Sequence, residues 1–347
     1  MSTIEANDWD STPEVWVMVN GELVKPDEVL SGSIDNLSTV WSRLLTDWVS
    51  IGEIPFPLRW FQALTFNDEI FILGGFTDGM QHKKVYRTSL EEGRIGSWNE
   101  DTDLLFPLSH SQSLTTKDKI YLIGGMSNNE FINNVIFSPI GDTLHWMESY
   151  PLPEPVIYSQ VITLGEKVYL LGGELRHTSI TTIYSTTIDS DGYLGQWVKE
   201  GEIPHPLSQS QALITGKRVY LFGGMDNSRD NAVNCCYSCP IIDNQYLGEW
   251  IMEPPLSSNC RAHQAVNAEQ RVYLIGGHDG LNTVNTVKTA LINPDGSLSQ
   301  WTLTSNLPKK LSGFQVIGYE GRIYVMGGYN NKEIYFSTYK NELKGDL

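Results

Sequence analysis

Side chains suited to ligand recognition occur in a short window around a glutamine that is repeated six times. The glutamine is the twelfth residue before each of six Gly-Gly pairs, and its copies are Gln62, Gln112, Gln160, Gln211, Gln264 and Gln315. At the positions just before it the residue types differ between the copies, and the residues there that we expect to cluster are Arg59, Trp60, His110, Tyr158, Gln209, Arg261 and His263. Aromatic faces beside hydrogen-bonding groups suit a sugar or an acidic peptide. These seven residues are therefore the candidate ligand-binding set.

The six glutamines have two interpretations. An amide both donates and accepts hydrogen bonds, so six equivalent amides can link neighbouring repeats through backbone groups. This structural role is the one we favour, because buried polar groups normally have partners. Binding of water or of a ligand is the alternative.

The residues in the same window are poorly suited to catalysis. Glycoside hydrolysis needs two carboxylates, yet no Asp or Glu occupies the five positions that end at each repeated glutamine. The seven histidines are scattered over the repeats rather than grouped as copper would require. Neither a phosphate-binding loop nor a nucleophile elbow is present in the sequence. We expect no catalytic residue, no metal site and no cofactor.

The four cysteines are Cys235, Cys236, Cys239 and Cys260, and two of them have the C-x-x-C spacing of some metal and redox sites. They fall in a predicted strand, where residues i and i+3 point to opposite faces. Buried free thiols are the favoured interpretation. A zinc site or a redox pair is the alternative.

The charge of the chain limits its partners. The formal net charge is −17 over 347 residues, and such a surface repels phosphate backbones and anionic lipid. No run reaches the roughly 18 apolar residues of a membrane helix. We therefore expect neither nucleic acid binding nor membrane insertion. The first residues lack a basic-then-apolar secretory signal, so we expect cytoplasmic synthesis, with later incorporation into a virion left open.

The elements that position the candidate residues follow from an internal repeat. Four apolar residues precede each glycine pair, for example Val168-Tyr169-Leu170-Leu171 before Gly172-Gly173, and the six pairs begin at Gly74, Gly124, Gly172, Gly223, Gly276 and Gly327. A tryptophan lies 26 residues before each pair, at Trp48, Trp98, Trp146, Trp197, Trp250 and Trp301. The distance from a pair to the next tryptophan varies between 22 and 27 residues. The constant spacing from tryptophan to glycine pair indicates rigid strands, and the variable spacing from glycine pair to the next tryptophan indicates adjustable loops.

Each unit of about 50 residues has room for four strands, which predicts an all-β fold, a six-bladed β-propeller of four-stranded antiparallel blades. The last unit has a strand at Ile334-Tyr335-Phe336 but no tryptophan strand, whereas Trp48 has no blade before it. We therefore expect the segment around Trp48 to supply the outer strand of the last blade and so to close the ring. The glutamines then circle the channel, and the seven candidate residues cluster at one mouth.

The loops after the glycine pairs should emerge at the same mouth, because alternating antiparallel strands return there. Their polar residues are Asp78, Asn128, His177, Asp226, Asp279 and Asn330. Loops are polar and variable in any case, so these side chains have a solvated surface as their alternative interpretation.

By its apolar strands before glycine pairs and the tryptophans that follow, the chain resembles the kelch family over residues 47 to 340. The resemblance implies a propeller with one blade per repeat. The turns Gly93-x-Ile95-x-x-Trp98, Gly192-x-Leu194-x-x-Trp197 and Gly296-x-Leu298-x-x-Trp301 look like the bacterial and phage branch. Kelch relatives include a copper oxidase and sialic-acid isomerising enzymes, so a carbohydrate-active enzyme is the alternative function. The family's usual arginine at the start of the first strand is present only as Arg59 and Arg261.

Residues 1–46 form a predicted N-terminal extension ahead of the propeller at residues 47–347. Val15-Trp16-Val17-Met18-Val19 before Asn20-Gly21 predicts a hairpin, and the apolar spacing from Leu37 to Leu45 predicts a short helix. Residues 1–47 hold nine acidic residues against Lys25 and Arg43. The extension is either a flap packed on the propeller or an attachment arm for a larger assembly.

Together these observations predict a non-enzymatic binding or assembly module that presents a loop face to a protein or glycan partner. A phage virion component is one such module.

Overall fold

The computed structural model describes residues 17–19, 22–24, 47–91, 94–228, 231–268, 270–335 and 337–342. The chain divides into two compact units, residues 1–44 with 344–347 and residues 45–343. Within the first unit, Val17–Val19 pairs with Glu22–Val24 as an antiparallel hairpin. The helix predicted near Leu37 to Leu45 lies outside the described residues.

The second unit consists of six antiparallel sheets of four principal strands each, which confirms the predicted six-bladed propeller. The innermost strands of blades 1 to 6 are Gln62–Phe66, Gln112–Thr116, Gln160–Leu164, Gln211–Ile214, Gln264–Ala268 and Gln315–Tyr319. The second strands are Glu69–Leu73, Lys119–Ser127, Lys167–Leu171, Arg218–Phe222, Arg271–Ile275 and Arg322–Met326. The third strands are Val85–Glu91, Glu130–Pro139, Thr182–Thr187, Cys236–Ile242, Val287–Leu291 and Ser337–Glu342. The outer strands are Asn99–Glu100, Met147–Glu148, Val198–Glu202, Ile251–Met252, Thr302–Leu303 and Val49–Glu53.

After a charged first residue, each second strand has four apolar residues in a row, because neighbouring blades cover both of its faces. In Lys167–Leu171 the last four side chains are all buried, although successive residues of a strand point to opposite faces. Six clusters of buried side chains account for this, one between each pair of neighbouring blades. Valine, isoleucine and tyrosine suit such doubly covered strands.

The ring is closed by the strand that the sequence assigns to that task. Each innermost strand contacts the innermost strands of both neighbouring blades, and blade 6 contacts blade 1. The outer strand of blade 6 is Val49–Glu53, which pairs with Ser337–Glu342 from the other end of the unit. That third strand begins at Ser337 rather than at the predicted Ile334, because Ile334 forms an isolated bridge with Tyr329 instead.

Three of the six repeated tryptophans link neighbouring blades by a hydrogen bond. The indole Nε1 of Trp98 in blade 1 donates a 2.9 Å hydrogen bond to the carbonyl of Glu53 in blade 6. Trp146 makes the corresponding bond to the carbonyl of Thr102, and Trp48 makes it to that of Ser305. In these three blades an indole N–H that reaches the previous blade requires a fixed position along the repeat. Trp146 and Trp197 also lie in the apolar clusters between blades, and the Nε1 of Trp197 has no hydrogen-bond partner among the described residues.

Short additional strands extend the blades. Antiparallel pairs follow three of the glycine pairs and consist of Phe76–Thr77 with Met80–Gln81, Glu174–Leu175 with Thr178–Ser179, and Met225–Asp226 with Asn231–Ala232. Arg94–Ile95 and Tyr246–Leu247 pair with third strands. The part of the chain that the structure describes contains no helix long and apolar enough to span a membrane.

Candidate ligand-binding mouth of the central channel

A ring of left-handed backbone residues forms the rim of the channel mouth. These residues lie two positions before the repeated glutamines, have φ between 49° and 60°, and are Trp60, His110, Tyr158, Gln209, Ala262 and Gly313. The backbone N–H of Trp60 donates to the carbonyl of Gly313 at 2.9 Å, and that of His110 donates to Trp60 at 3.0 Å. Gln209, Ala262 and Gly313 each bond to the preceding member in the same way. Because backbone bonds carry the ring, its side chains are free to differ.

Three of these side chains meet over the channel and form an aromatic layer. The rings of Trp60 and His110 stack with centroids 5.2 Å apart. The ring of Tyr158 makes T-shaped contacts with both, at centroid distances of 5.2 Å from Trp60 and 4.9 Å from His110. The indole also covers Gly313, where three of its atoms lie 3.0–3.2 Å from the position of a Cβ. The predicted grouping of Trp60, His110 and Tyr158 is thus present in the structure.

Arg59 is held between two aromatic rings. Its guanidinium carbon lies 4.5 Å from the ring centre of Tyr329 and 5.0 Å from that of Phe76. Phe76 and Tyr329 directly follow glycine pairs, and the backbone of Phe76 forms a bridge with Arg59 itself. Two cation–π contacts fix the side chain before any ligand arrives.

Arg261 lies in a second, polar part of the mouth. Its Nη1 donates to the side-chain oxygen of Gln209 at 3.2 Å and contacts the sulfur of Met225 at 3.4 Å. Among the described residues neither Arg59 nor Arg261 forms an ion pair with a carboxylate. The positive charges of both guanidinium groups act to lower the pKa of the Tyr158 hydroxyl, although burial outweighs them.

Burial sets the protonation of the aromatic layer. It lowers the pKa of His110 to about 3, with a further contribution from the charge of Arg59. Burial also raises the pKa of Tyr158 above its ordinary value, and the carboxylate of Glu174 adds to the effect. At neutral pH His110 and Tyr158 are therefore uncharged, and the positive charge of the mouth resides on the two arginines.

The glutamines line a narrow channel beneath this layer. Together with the rim they border a cavity of about 50 Å³, which is room for water rather than for a sugar. Gln62 Nε2 donates to the carbonyl of Ser111 in the next blade at 2.7 Å, and Gln160 Oε1 accepts from the backbone of Ala212 in the next blade at 3.2 Å. Two of the six glutamines thus link blades.

His263 occupies a different environment from the other six candidates. It is 1% exposed, and its Nε2 lies 3.9 Å from the sulfur of Cys260. Burial and the nearby charge of Lys288 lower its pKa to about 3. The side chain borders both the channel and a separate cavity in blade 5.

The polar loop residues support their own turns. Asp279 Oδ1 accepts the backbone N–H groups of Leu281 and Asn282, and Asn330 accepts two in the same manner. Asp226 is buried and accepts a hydrogen bond from Ser228 at 2.6 Å. Asp78, Asn128 and His177 lie at loop positions with positive φ.

The cysteines of the C-x-x-C pair are directed into different cores. Cys236 belongs to the cluster between blades 4 and 5, and Cys239 to the cluster between blades 3 and 4. All four cysteines are free thiols, and burial raises the pKa values of Cys235, Cys239 and Cys260 to about 12. Such thiols are protonated and unreactive at neutral pH. Among the described residues no three His, Cys, Asp or Glu side chains are grouped as metal ligands.

Sequence reasoning missed the residues directly after the glycine pairs. Phe76, Met225 and Tyr329 shape the mouth, whereas the polar residues predicted from the sequence lie further along these loops. A positional signal exists, since in all six blades this residue bridges the one three places before the glutamine, as in Arg59 with Phe76 and Arg261 with His278.

Comparisons with known proteins agree with this architecture. The family described as "KLHDC2/KLHL20/DRC7 Kelch-repeats domain" matches residues 159–343, more than half of the chain. Kelch-like protein 41 of Mus musculus is 28% identical over 123 residues, which cover 35% of this chain and 20% of that protein. Beta-scruin of Limulus polyphemus is 27% identical over 143 residues, or 40% of this chain and 15% of that protein. The chain thus spans about a fifth or less of these two relatives.

A viral protein and a solved structure also match. Kelch repeat and BTB domain-containing protein 2 of Cowpox virus (strain GRI-90 / Grishak) is 25% identical over 137 residues, or 40% of this chain and 23% of that protein. The structure titled "Structure of YjhT" superposes with a TM-score of 0.68 and covers 85% of this chain and 99% of that one. Its sequence identity is 14%, so this likeness concerns the fold alone.

Proposed function

This chain belongs to the kelch-repeat family, whose propellers typically serve as protein-interaction modules. From that premise we propose that it is a non-enzymatic module whose channel mouth binds an acidic segment of a partner protein.

The observation that carries the proposal is the pair of arginines without carboxylate partners among the described residues. The chain has a net charge of −17, so two cations at one mouth are a local exception to its surface. The carboxylate of Glu174 also lies at this mouth, but it contacts Nδ1 of His177 at 3.6 Å rather than either arginine. An arginine held in place loses little side-chain freedom on binding, and a guanidinium pairs with carboxylates through two parallel hydrogen bonds. The contacts of Arg59 with Phe76 and Tyr329 provide this preorganisation.

A glycan is the other ligand class that these residue types suit. Sugar recognition by this set depends on an open aromatic face, and the indole of Trp60 is packed against both His110 and Gly313. The arginines therefore support a carboxylate-bearing peptide better than the aromatic layer supports a sugar. Attachment to a larger assembly through residues 1–46, a place in a virion and membership of the bacterial or phage branch stay predictions, as does the alternative of a sugar isomerase or oxidase.

The test is selection from a displayed library of random twelve-residue peptides. We expect the wild-type chain to enrich peptides rich in Asp and Glu, and Arg59→Gln with Arg261→Gln to bind them at least 30-fold more weakly, as for interface hot spots. The control is Arg94→Gln with Lys199→Gln, which removes the same charge from exposed positions. Selection of peptides that are not enriched in Asp and Glu would refute the proposal. So would an equal loss of peptide affinity in the arginine variant and the control variant. Binding on a glycan array that requires both arginines would replace the peptide by a sugar.

A further inference from the structure

Blade 5 contains a second cavity, separate from the channel, of about 380 Å³. It is bordered by Ser258, Cys260, His263 and Lys288, with Leu274 and Trp301 among its apolar walls. The side chains that surround it depart from the repeat at several positions together.

Lys288 is the largest departure. Its partner in the strand register is Leu274 of the second strand. Residues with the equivalent register in the other blades are Tyr86, Ile136, Tyr184, Tyr237 and Tyr339. Blade 5 thus places an amine where four blades place a phenol ring and one an aliphatic chain. The lysine is 6% exposed.

The neighbour of Lys288 departs in a complementary way. In blade 3 the hydroxyl of Tyr184 donates to the carboxylate of Glu154 at 2.5 Å. Ser258 occupies the position of Glu154 in blade 5, and Lys288 Nζ donates to its hydroxyl oxygen at 2.7 Å. The repeat therefore has a carboxylate beside a tyrosine in blade 3, whereas blade 5 has a lysine and no carboxylate at that position.

The ammonium group has no counter-ion within the described part of the chain. Lys119, which is also deeply buried, pairs with the carboxylate of Asp118 at 2.6 Å. No ion pair within that part involves Lys288, and the carboxylate of Asp279, which also borders the cavity, accepts backbone N–H groups of its own loop. A buried charge without a partner is costly, and burial accordingly lowers the pKa of Lys288. An anion inside the cavity would remove this cost.

The remaining polar groups are neutral and do not compete for the ammonium. Burial raises the pKa of Cys260 to about 12, so its thiol keeps its proton. His263 is uncharged, and its Nδ1 is buried without a hydrogen-bond partner among the described residues. Leu274 and Trp301 supply apolar wall for the uncharged part of a ligand.

We propose that this cavity binds a small organic carboxylate, whose anionic group pairs with Lys288 beside Ser258 and whose apolar part packs against Leu274 and Trp301. The site is independent of the channel mouth and of the two arginines there.

The test uses ¹⁹F NMR titration of the full chain with 4-fluorobenzoate and with its neutral analogue 4-fluorobenzyl alcohol. We expect saturable binding of the acid and at least tenfold weaker binding of the alcohol. Ser258→Glu supplies the missing carboxylate from within the chain, so it should weaken binding of the acid at least tenfold and raise the Tm of the free protein. Ser258→Gln has the same size without the charge and should keep binding of the acid within threefold.

Two further variants distinguish the cavity of blade 5 from the channel mouth as the place where the acid binds. Lys288→Tyr restores the residue found in four other blades, so it should fold and lose binding of the acid. Arg59→Gln with Arg261→Gln should bind the acid like wild type, since the mouth does not contribute. Equal binding of acid and alcohol, no saturable binding by wild type, or equal binding of the acid by Ser258→Glu and Ser258→Gln would each overturn the proposal.

Discussion

The side-chain amide of Gln62 donates a 2.7 Å hydrogen bond to the backbone carbonyl of Ser111, so that blade 1 is tied to blade 2 beside the channel. The oxygen of the same amide accepts a 2.9 Å bond from the hydroxyl of Ser113. One buried glutamine therefore uses both ends of its amide on the neighbouring blade, which is the structural role that the sequence analysis favours for the ring.

Gln62→Leu should lower the free energy of unfolding by about 1–3 kcal/mol, because it leaves buried polar groups of blade 2 with fewer partners. Gln315→Leu is the control at the equivalent position of blade 6. No hydrogen bond of the Gln315 side chain is found among the described residues, so its replacement should cost less than about 1 kcal/mol. Urea unfolding measures both. Equal costs would show that the amide bonds of Gln62 do not matter.

Removal of residues 1–53 should abolish cooperative unfolding, because it deletes the strand that pairs with Ser337–Glu342 and leaves an open sheet edge in blade 6. The matched control removes residues 1–46 and keeps Val49–Glu53. This shorter truncation should retain a single transition in urea. If both truncated chains unfold with the midpoint and slope of wild type, closure by this strand is unimportant for stability.

His263→Phe should flatten the loss of stability in mild acid. In the folded protein the pKa of His263 is about 3, whereas an unfolded histidine titrates near 6.5. Between these values the unfolded chain binds a proton that the folded chain does not, so the free energy of unfolding falls as the pH falls. The phenylalanine variant lacks this contribution and has precedents in Phe61 and Phe314 at the equivalent positions.

From pH 6 to pH 4.5 the wild type should therefore lose about 2 kcal/mol more than His263→Phe. Urea unfolding at several pH values provides the comparison. Parallel pH profiles would mean that His263 is protonated in the folded protein as easily as in the unfolded one.

Gly125→Ala should lower the free energy of unfolding by at least about 3 kcal/mol. The residue has φ +107°, and a Cβ there would lie 2.6 Å from the carbonyl oxygen of Ser109 and 2.8 Å from the amide nitrogen of Ser111. Gly216→Ala is the control, since Gly216 has φ +68° with nothing within 4 Å of a Cβ. It should cost only the roughly 1–2 kcal/mol of a left-handed alanine. Similar midpoints in thermal unfolding would contradict a steric role for the glycine pair.

Much of the fold could be predicted because its constraints act at fixed positions along the repeat. A glycine pair is needed where the chain passes close to the backbone of the neighbouring loop, and the tryptophan packs near the neighbouring blade, which its indole reaches by a hydrogen bond in three blades. Both features leave a sequence signal in every blade. The closing strand followed from the imbalance between Trp48 and the last repeat.

The mouth was harder to predict because its rim is held together by hydrogen bonds between backbone groups. The left-handed ring tolerates Trp60, His110, Gln209 and Gly313 alike, so no residue type marks it. The contacts of Arg59 with Phe76 and Tyr329 join residues from two blades, and a single sequence does not show which loops meet. The site beside Lys288 is likewise recognised only when blades 3 and 5 are aligned, because Lys288 and Ser258 then stand at the positions of Tyr184 and Glu154.

The closing strand also has a consequence for the order of events during synthesis. Val49 and its partner Lys340 are 291 positions apart in the chain. At translation rates of about 5–20 residues per second, Val49 emerges roughly 15–60 s before the residue that it must pair with. Throughout that interval the strand Val49–Glu53 is made but has no sheet to join, while the sequences of blades 1 to 5 are completed. The nascent chain therefore passes through an extended period in which its earliest blade strand is unpaired, with backbone N–H and C=O groups that a chaperone or another chain can bind.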